Sequence, residues 1–226
     1  MLEHDRDKTG SQLSGRAAMS MLPDGGRHRG TTELPHDPQR SAALPAAVPQ
    51  PAVLIRDAED SDAPGLTHII AAIMGEFPGC IFDLEADFPE LKRPKTSFKK
   101  EGGRLWVAER HLPSATAGKN GQPRKGTGEI VGCFGFLPAE DPGGIELLRV
   151  YLQPDLRGSG LATKMFKIVQ AVARQRSAGF IELWTDSRFK AAQRFYEKLG
   201  FTRLPDERLL NDRSLSSEYH YLLPLR

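Results

Sequence analysis

Residues 146–201 read ELLRVYLQPDLRGSGLATKMFKIVQAVARQRSAGFIELWTDSRFKAAQRFYEKLGF. The run from Glu146 to Leu152 has the apolar texture of a strand and stops before Pro154. A Gly-rich turn follows and opens directly into a helix. That order builds an anion site from backbone. The first turn of a helix has N–H groups without intrahelical acceptors, and the helix dipole places partial positive charge there. Gly158 and Gly160 let the chain take dihedrals that other residues resist, and Arg157 adds a charge at the mouth of the turn. Beyond the turn, Leu161, Met165, Ile168, Val169 and Val172 repeat at helical spacing. Phe180–Trp184 reads as a strand. Phe189, Ala192, Phe195 and Leu199 form a second helical stripe, with Gly200 where a helix C-cap belongs.

Two segments of this stretch carry a family resemblance. Arg157-x-x-Gly160-x-Ala162 resembles the acetyl-CoA pyrophosphate loop of the GNAT N-acetyltransferases. Ala192-Gln-Arg-Phe195-Tyr196-Glu-Lys-Leu-Gly200-Phe201 resembles that family's second signature, A-x-x-[FL]-Y-x-x-x-G-F. Order and spacing both match, and the resemblance extends over roughly residues 53–226. One position departs: many members carry Asn three residues before the motif alanine, where this chain has Phe189.

The resemblance implies an α/β fold, a mixed central sheet with helices on both faces, and acetyl-CoA as cosubstrate with no metal. It implies that backbone at Arg157, Gly158, Ser159, Gly160, Leu161 and Ala162 meets the pyrophosphate. It also implies that the preceding strand splays from its neighbour and offers the backbone of Val150, Tyr151 and Leu152 to the pantetheine amides. A dinucleotide fingerprint competes only superficially. Its third glycine position is Thr163, and the stretch holding Pro154 lengthens the turn beyond a Rossmann turn. On that reading Glu182 is a surface residue of an alternating strand.

Tyr196 is the leading catalytic candidate. An amine that attacks a thioester expels a thiolate, which needs a proton or a strong hydrogen bond as the C–S bond breaks. A phenol fixed on a helix supplies either, and the family tyrosine at this motif position has that role. Glu146, at the start of the strand leading to the turn, is the candidate base that the resemblance implies, since family members often place a carboxylate there. Glu218 and His220 share a face of the last strand by period-two alternation and are rivals. Asp186 is expected to cap the following helix.

The rest of the chain sets limits. Its 226 residues suffice for one domain with a substantial core and a tail. The near balance of 31 Lys+Arg against 29 Asp+Glu gives no electrostatic reason for a nucleic-acid partner. Cys80 and Cys133 lie in unrelated apolar settings, without metal spacing or a disulfide framework. No run approaches the roughly 18 apolar residues that span a bilayer. The charged start, MLEHDRDKTG, is unlike a secretory signal. A cytoplasmic protein without a membrane partner is expected, and a homodimer is left open.

Residues 1–51 are rich in Gly, Pro, Ala, Arg and Asp, lack periodicity, and end in LPAAVPQP. They read as a disordered N-terminal arm, because such a segment buries too little apolar surface to offset its ordering entropy. Met19 and Met21 are alternative starts to Met1. Residues 52–226 form the folded domain. Residues 52–58 read as a strand, and Leu66, Ile69, Ile70 and Ile73 mark a helix. Cys80–Pro94 holds a short helix broken by Pro89 and Pro94. Two strands follow, GGRLWVAER and GEIVGCFGFLP, flanking a polar loop with Lys119, Arg124 and Lys125. Strands at Phe201–Leu204 and Ser217–Leu223 complete the order βααβββαβαββ.

The expected function is transfer of acetyl from acetyl-CoA to a primary amine, on a small molecule or a protein, by direct attack in a ternary complex. The alternatives are a CoA-binding sensor or scaffold without turnover, and an acyltransferase that uses a longer acyl-CoA or a protein lysine. The acceptor is not legible in the sequence.

Overall fold

The computed structural model describes residues 52–111 and 128–225. The N-terminal arm, Met19 and Met21, and the loop cations Lys119, Arg124 and Lys125 lie outside the described residues. The chain runs β1 (Ala52–Asp57), α1 (Ala63–Met74), α2 (Pro94–Lys100), β2 (Arg104–His111), β3 (Glu129–Pro138), β4 (Gly144–Leu152), α3 (Leu161–Gln175), β5 (Phe180–Asp186), α4 (Lys190–Lys198), β6 (Thr202–Leu209) and β7 (Ser217–Pro224). This is the order expected from the sequence.

The strands form one seven-stranded sheet, ordered β1-β2-β3-β4-β5-β7-β6. All neighbours are antiparallel except β4 and β5, which run parallel. Helix α3 is the crossover that a parallel pair requires. The sheet separates two apolar layers. Leu66, Ile69, Ile70 and Ile73 of α1 and Phe98 of α2 pack with Leu105, Val107, Cys133, Leu148 and Tyr151 on one face. Met165, Phe166 and Val169 of α3, with Ala192 and Tyr196 of α4, pack with Phe134, Leu147, Val150, Ile181 and Leu183 on the other.

Three local expectations are corrected. Pro94 does not break a helix within Cys80–Pro94; it opens α2, because the first helical position needs no N–H donor. Strand β6 continues through Pro205 to Leu209. It is an edge strand, and its pairing with β7 is irregular between Arg203 and Glu207, so the missing donor costs little there. The buried stripe of α4 is turned from the expected one: Ala192, Gln193 and Tyr196 are buried, while Phe195 and Leu199 are half-buried.

Candidate active site

The site begins with a single extra residue in β4. Gly132 pairs with Leu152 and Cys133 with Tyr151, but Gly135 pairs with Leu148. Arg149 and Val150 therefore share the one position opposite Phe134. This is a β-bulge, and Arg149 takes a positive φ of 56° within it. The bulge reverses which face each later side chain meets. Ile145 and Leu147 face the α3 layer, and after the bulge so do Val150 and Leu152. The side chain of Arg149 is 1 % exposed. Its Nε–H donates to Glu90 Oε1 at 2.6 Å, and its guanidinium lies 4.8 Å from the Phe88 ring centroid. The buried Cys133 thiol, its pKa pushed up to about 12 by burial, donates to the Arg149 carbonyl at 3.2 Å.

The bulge coincides with a split in the sheet. β4 and β5 are paired only at Gly144–Phe180, Ile145–Ile181 and Glu146–Glu182. Beyond Glu146 and Glu182 the two strands have no mutual register. The segment holding Val150, Tyr151 and Leu152 thus presents backbone along an edge that no neighbouring strand covers on the β5 side.

The Gly-rich turn closes the end of this edge. Gly158 and Gly160 have φ of 77° and 84°, the left-handed conformation that glycine adopts without penalty. Gly160 is the N-cap of α3, and the first-turn amides of a helix lack intrahelical acceptors. Within the turn, the amides of Arg157 and Ser159 donate internally, to the Pro154 and Leu156 carbonyls. The Leu161 amide donates to Ser159 Oγ at 3.3 Å, so among the described residues the amides of Gly158, Gly160 and Ala162 have no acceptor within the turn. Arg157 is not a free cation at its mouth. Its guanidinium forms a two-pronged pair with Glu76 at 2.6 and 2.7 Å, and its Nε–H donates to the Leu152 carbonyl. It ties the segment after α1 to the end of β4. The cation beside the turn is Lys164, which the sequence reading missed. With Val53, Leu156, Ser159, Gly160 and Leu161 it lines a depression of about 370 Å³.

Tyr196 lies in the α3 layer and is fully buried. A Schellman motif fixes its backbone. The Phe201 N–H donates to the Tyr196 carbonyl and the Gly200 N–H to that of Glu197, with Gly200 at φ 96°. The Phe201 ring then packs edge-on against Tyr196 at 5.8 Å. The Tyr196 hydroxyl has no hydrogen-bond partner among the described residues. Burial, first, and the neighbouring Tyr151 phenol raise its pKa well above 10, so it stays a donor. Tyr151 belongs to the opposite apolar layer. The two phenols, from opposite layers, still act on each other electrostatically.

Glu146 sits at the point where the strands part, on the face opposite Tyr196. It is 5 % exposed. Burial is the main reason its carboxyl is pushed up to about 7; Glu182 and Glu218 add to the shift, and Arg208 and Arg149 oppose it. It lines a pocket of about 150 Å³ with Glu140, Asp141, Glu182, Trp184, Arg208 and His220. Of the rival bases, Glu218 is fully buried and accepts from Arg208 Nε–H at 2.7 Å. His220 Nε2 lies 2.9 Å from Glu182 Oε2, and its ring stacks on Trp184 at 4.3 Å. Glu182 is therefore no surface residue; at 8 % exposure it belongs to the pocket. Alternation along β5 places Glu182 and Trp184 on one face, but only the pairing of β5 with β7 sets His220 opposite Trp184. That pairing is not local in sequence.

Asp186 does not cap α4. The N-cap is Phe189, without a side-chain bond. Asp186 instead holds Arg188 through Nε at 2.9 Å and Nη2 at 2.5 Å, and Arg188 reaches on to Ser216. Among the described residues no group of three or more His, Cys, Asp or Glu is arranged to hold a metal ion. No helix among them is long and apolar enough to cross a membrane.

A mixed sheet split between two parallel strands, with a Gly-capped helix at the open end and a buried phenol beneath the gap, defines the acyl-CoA N-acyltransferase fold. Residues 81–201 match the acetyltransferase (GNAT) family, and the chain belongs to it. It is 28 % identical over 148 residues to an uncharacterized N-acetyltransferase of Escherichia coli, covering 63 % of this chain and 78 % of that one. A relative from Methanocaldococcus jannaschii, also an uncharacterized N-acetyltransferase, is 34 % identical over 56 residues, a quarter of each chain. Among solved structures, a GNAT acetyltransferase of Staphylococcus aureus superposes with a TM-score of 0.60 at 20 % identity, covering 77 % of this chain and all of that one. A structure from Salmonella typhimurium with its cofactor acetyl-CoA gives a TM-score of 0.56 at 18 % identity, covering 77 % and 95 %.

Proposed function

We propose that residues 52–226 are an acetyl-CoA-dependent N-acetyltransferase domain that acetylates a primary amine by direct attack. The observation that carries this reading is the parting of β4 from β5 beside a buried Tyr196 hydroxyl that has no partner among the described residues. A buried donor without an acceptor costs about 1–3 kcal/mol, so its retention calls for a use. The Salmonella neighbour's acetyl-CoA supports the same assignment.

In this mechanism the amides of Gly158, Gly160 and Ala162 receive the pyrophosphate, with the Lys164 side chain beside them. The uncovered edge at Val150, Tyr151 and Leu152 receives the pantetheine amides. The acyl group then lies where the strands part. Glu146 takes a proton from the acceptor ammonium, and the amine attacks. Tyr196 gives its proton to the departing sulfur. Holding both reactants in one cleft supplies much of the acceleration.

Replacing Tyr196 by Phe tests the assignment, because it removes the hydroxyl and keeps the ring. Turnover should fall by about 10²–10⁴, the range for a positioned proton donor. Acetyl-CoA should still raise thermal stability, by about 2.7 kcal/mol at a hundredfold excess over its Kd. Near-normal turnover in the variant would remove Tyr196 from the reaction.

A further inference from the structure

The reaction proposed above leaves a proton to be disposed of. The ammonium nitrogen loses two protons, the N–C bond forms, and the C–S bond breaks. One proton replaces the one that Tyr196 gives to sulfur. The other, taken by Glu146, must leave for bulk solvent in every turnover. Glu146 is 5 % exposed, so its direct contact with bulk water is small.

A chain of titratable groups leads outward from it. Glu182 is its register partner across the last paired rung of β4 and β5. Both line the same pocket of about 150 Å³, which has room for water. Glu182 Oε2 is 2.9 Å from His220 Nε2. The other ring nitrogen, Nδ1, is 3.6 Å from Asp206 Oδ2, and the Asp206 side chain is 64 % exposed. That last gap is too long for a good hydrogen bond and short enough for a small shift or one water to close.

We propose that Glu182 and His220 form a relay that carries the proton from Glu146 to solvent at Asp206. The proposal rests on Glu146 being the base. An imidazole suits the step because it accepts at one nitrogen while releasing at the other. The parallel stack on Trp184, at 4.3 Å and 6°, holds the ring in register. Other charges face this path from every side. Glu140 and Asp141 come from the β3–β4 turn, Arg208 from β6, and Glu218 from β7. Arg149 of β4 also acts on Glu146. Arg208 donates Nε–H to Glu218 and its guanidinium lies 4.2 Å from the Trp184 centroid, while its Nη2 has no hydrogen-bond partner among the described residues. Both relay residues act through Glu146 and need no contact with substrate.

The test uses the full chain with His220→Gln and Glu182→Gln, assayed for acetyl-CoA consumption with ethylamine, ethanolamine, lysine and spermidine. Turnover at neutral pH should fall about tenfold or more in each, with acetyl-CoA binding and melting temperature retained. Added imidazole should restore His220→Gln, and its pH profile should become buffer-dependent. A full rate in His220→Gln while Glu146→Gln is inactive overturns the relay and leaves the base in place. A full rate in Glu146→Gln overturns both. A defect that imidazole does not relieve, with an unchanged pH profile, assigns His220 a structural role and overturns the relay. The ¹³C-carboxyl resonance of Glu146 gives a reading independent of any acceptor. It should titrate in fast exchange in the native chain and in slow exchange in His220→Gln, and equal exchange in both chains overturns the relay.

Discussion

At the scale of single residues, Glu146 sets function against stability. Its carboxyl titrates at about 7 in the folded chain, against an ordinary 4.5, chiefly because burial disfavours the charge. Between those values the folded state holds a proton that the unfolded state has released. Stability therefore falls as pH rises from 4.5 to 7 and stays lowered above 7, opposite to the behaviour of a salt-bridged carboxylate. At about 1.4 kcal/mol per pKa unit, the cost above pH 7 is on the order of 3 kcal/mol. Glu146→Gln, which never carries the charge, should melt higher than the native chain at pH 8 and close to it at pH 4.5. Melting curves at both values decide this. An equal difference at both would mean that the buried charge is not what the substitution relieves. The same variant should lose transfer activity, as expected where a destabilised group does the chemistry.

At the scale of elements, the turn before α3 separates backbone freedom from charge. A Cβ at Gly160 would meet nothing within 4 Å, so alanine there suffers only the cost of its φ of 84°. That cost is about 1–2 kcal/mol. Gly160→Asp carries a similar backbone cost and adds a carboxylate where the pyrophosphate is proposed to sit. Both variants should lose comparable stability, and only Gly160→Asp should lose acetyl-CoA binding by calorimetric titration. Equal binding by the two would show that the turn does not hold the anion. This turn was legible because its information is local: two glycines, a proline before them and an apolar stripe after. The C-terminus of α4 was legible for the same reason, since Gly200 and Phe201 form a Schellman motif within a few residues of Tyr196. Arg157 was misread because its partner, Glu76, lies 81 residues away. A charge beside a Gly-rich turn looks alike whether it faces a ligand or a neighbouring segment.

For the whole molecule, strand and helix order could be read from periodicity, and the layering followed from it. What could not be read depends on distant pairing. β7 lies between β5 and β6, which gathers Glu182, Trp184, Arg208 and His220 into one pocket. The β4 bulge likewise leaves no pattern in an almost wholly buried strand, where both faces are apolar. The boundary of the domain belongs to this scale too. Ala52 is the first described residue of β1, and it pairs with His111 at the sheet's edge. Arg56 of the same strand holds Asp62 and Glu109 at 2.5–2.9 Å, with all three buried. Removing one partner of such a cluster costs about 3–5 kcal/mol, so a cut that disturbs β1 should be severe. A cut before it should not be, because residues 1–50 have the composition of a segment that buries little apolar surface. A chain beginning at Pro51 should therefore keep the melting temperature and acetyl-CoA binding of the full chain. Transfer to small amines should also persist. A chain beginning at Asp57, which lacks Arg56, should melt well below both. Calorimetry on the three chains tests the boundary, and a large loss in the first truncation would mean that the arm packs on the domain.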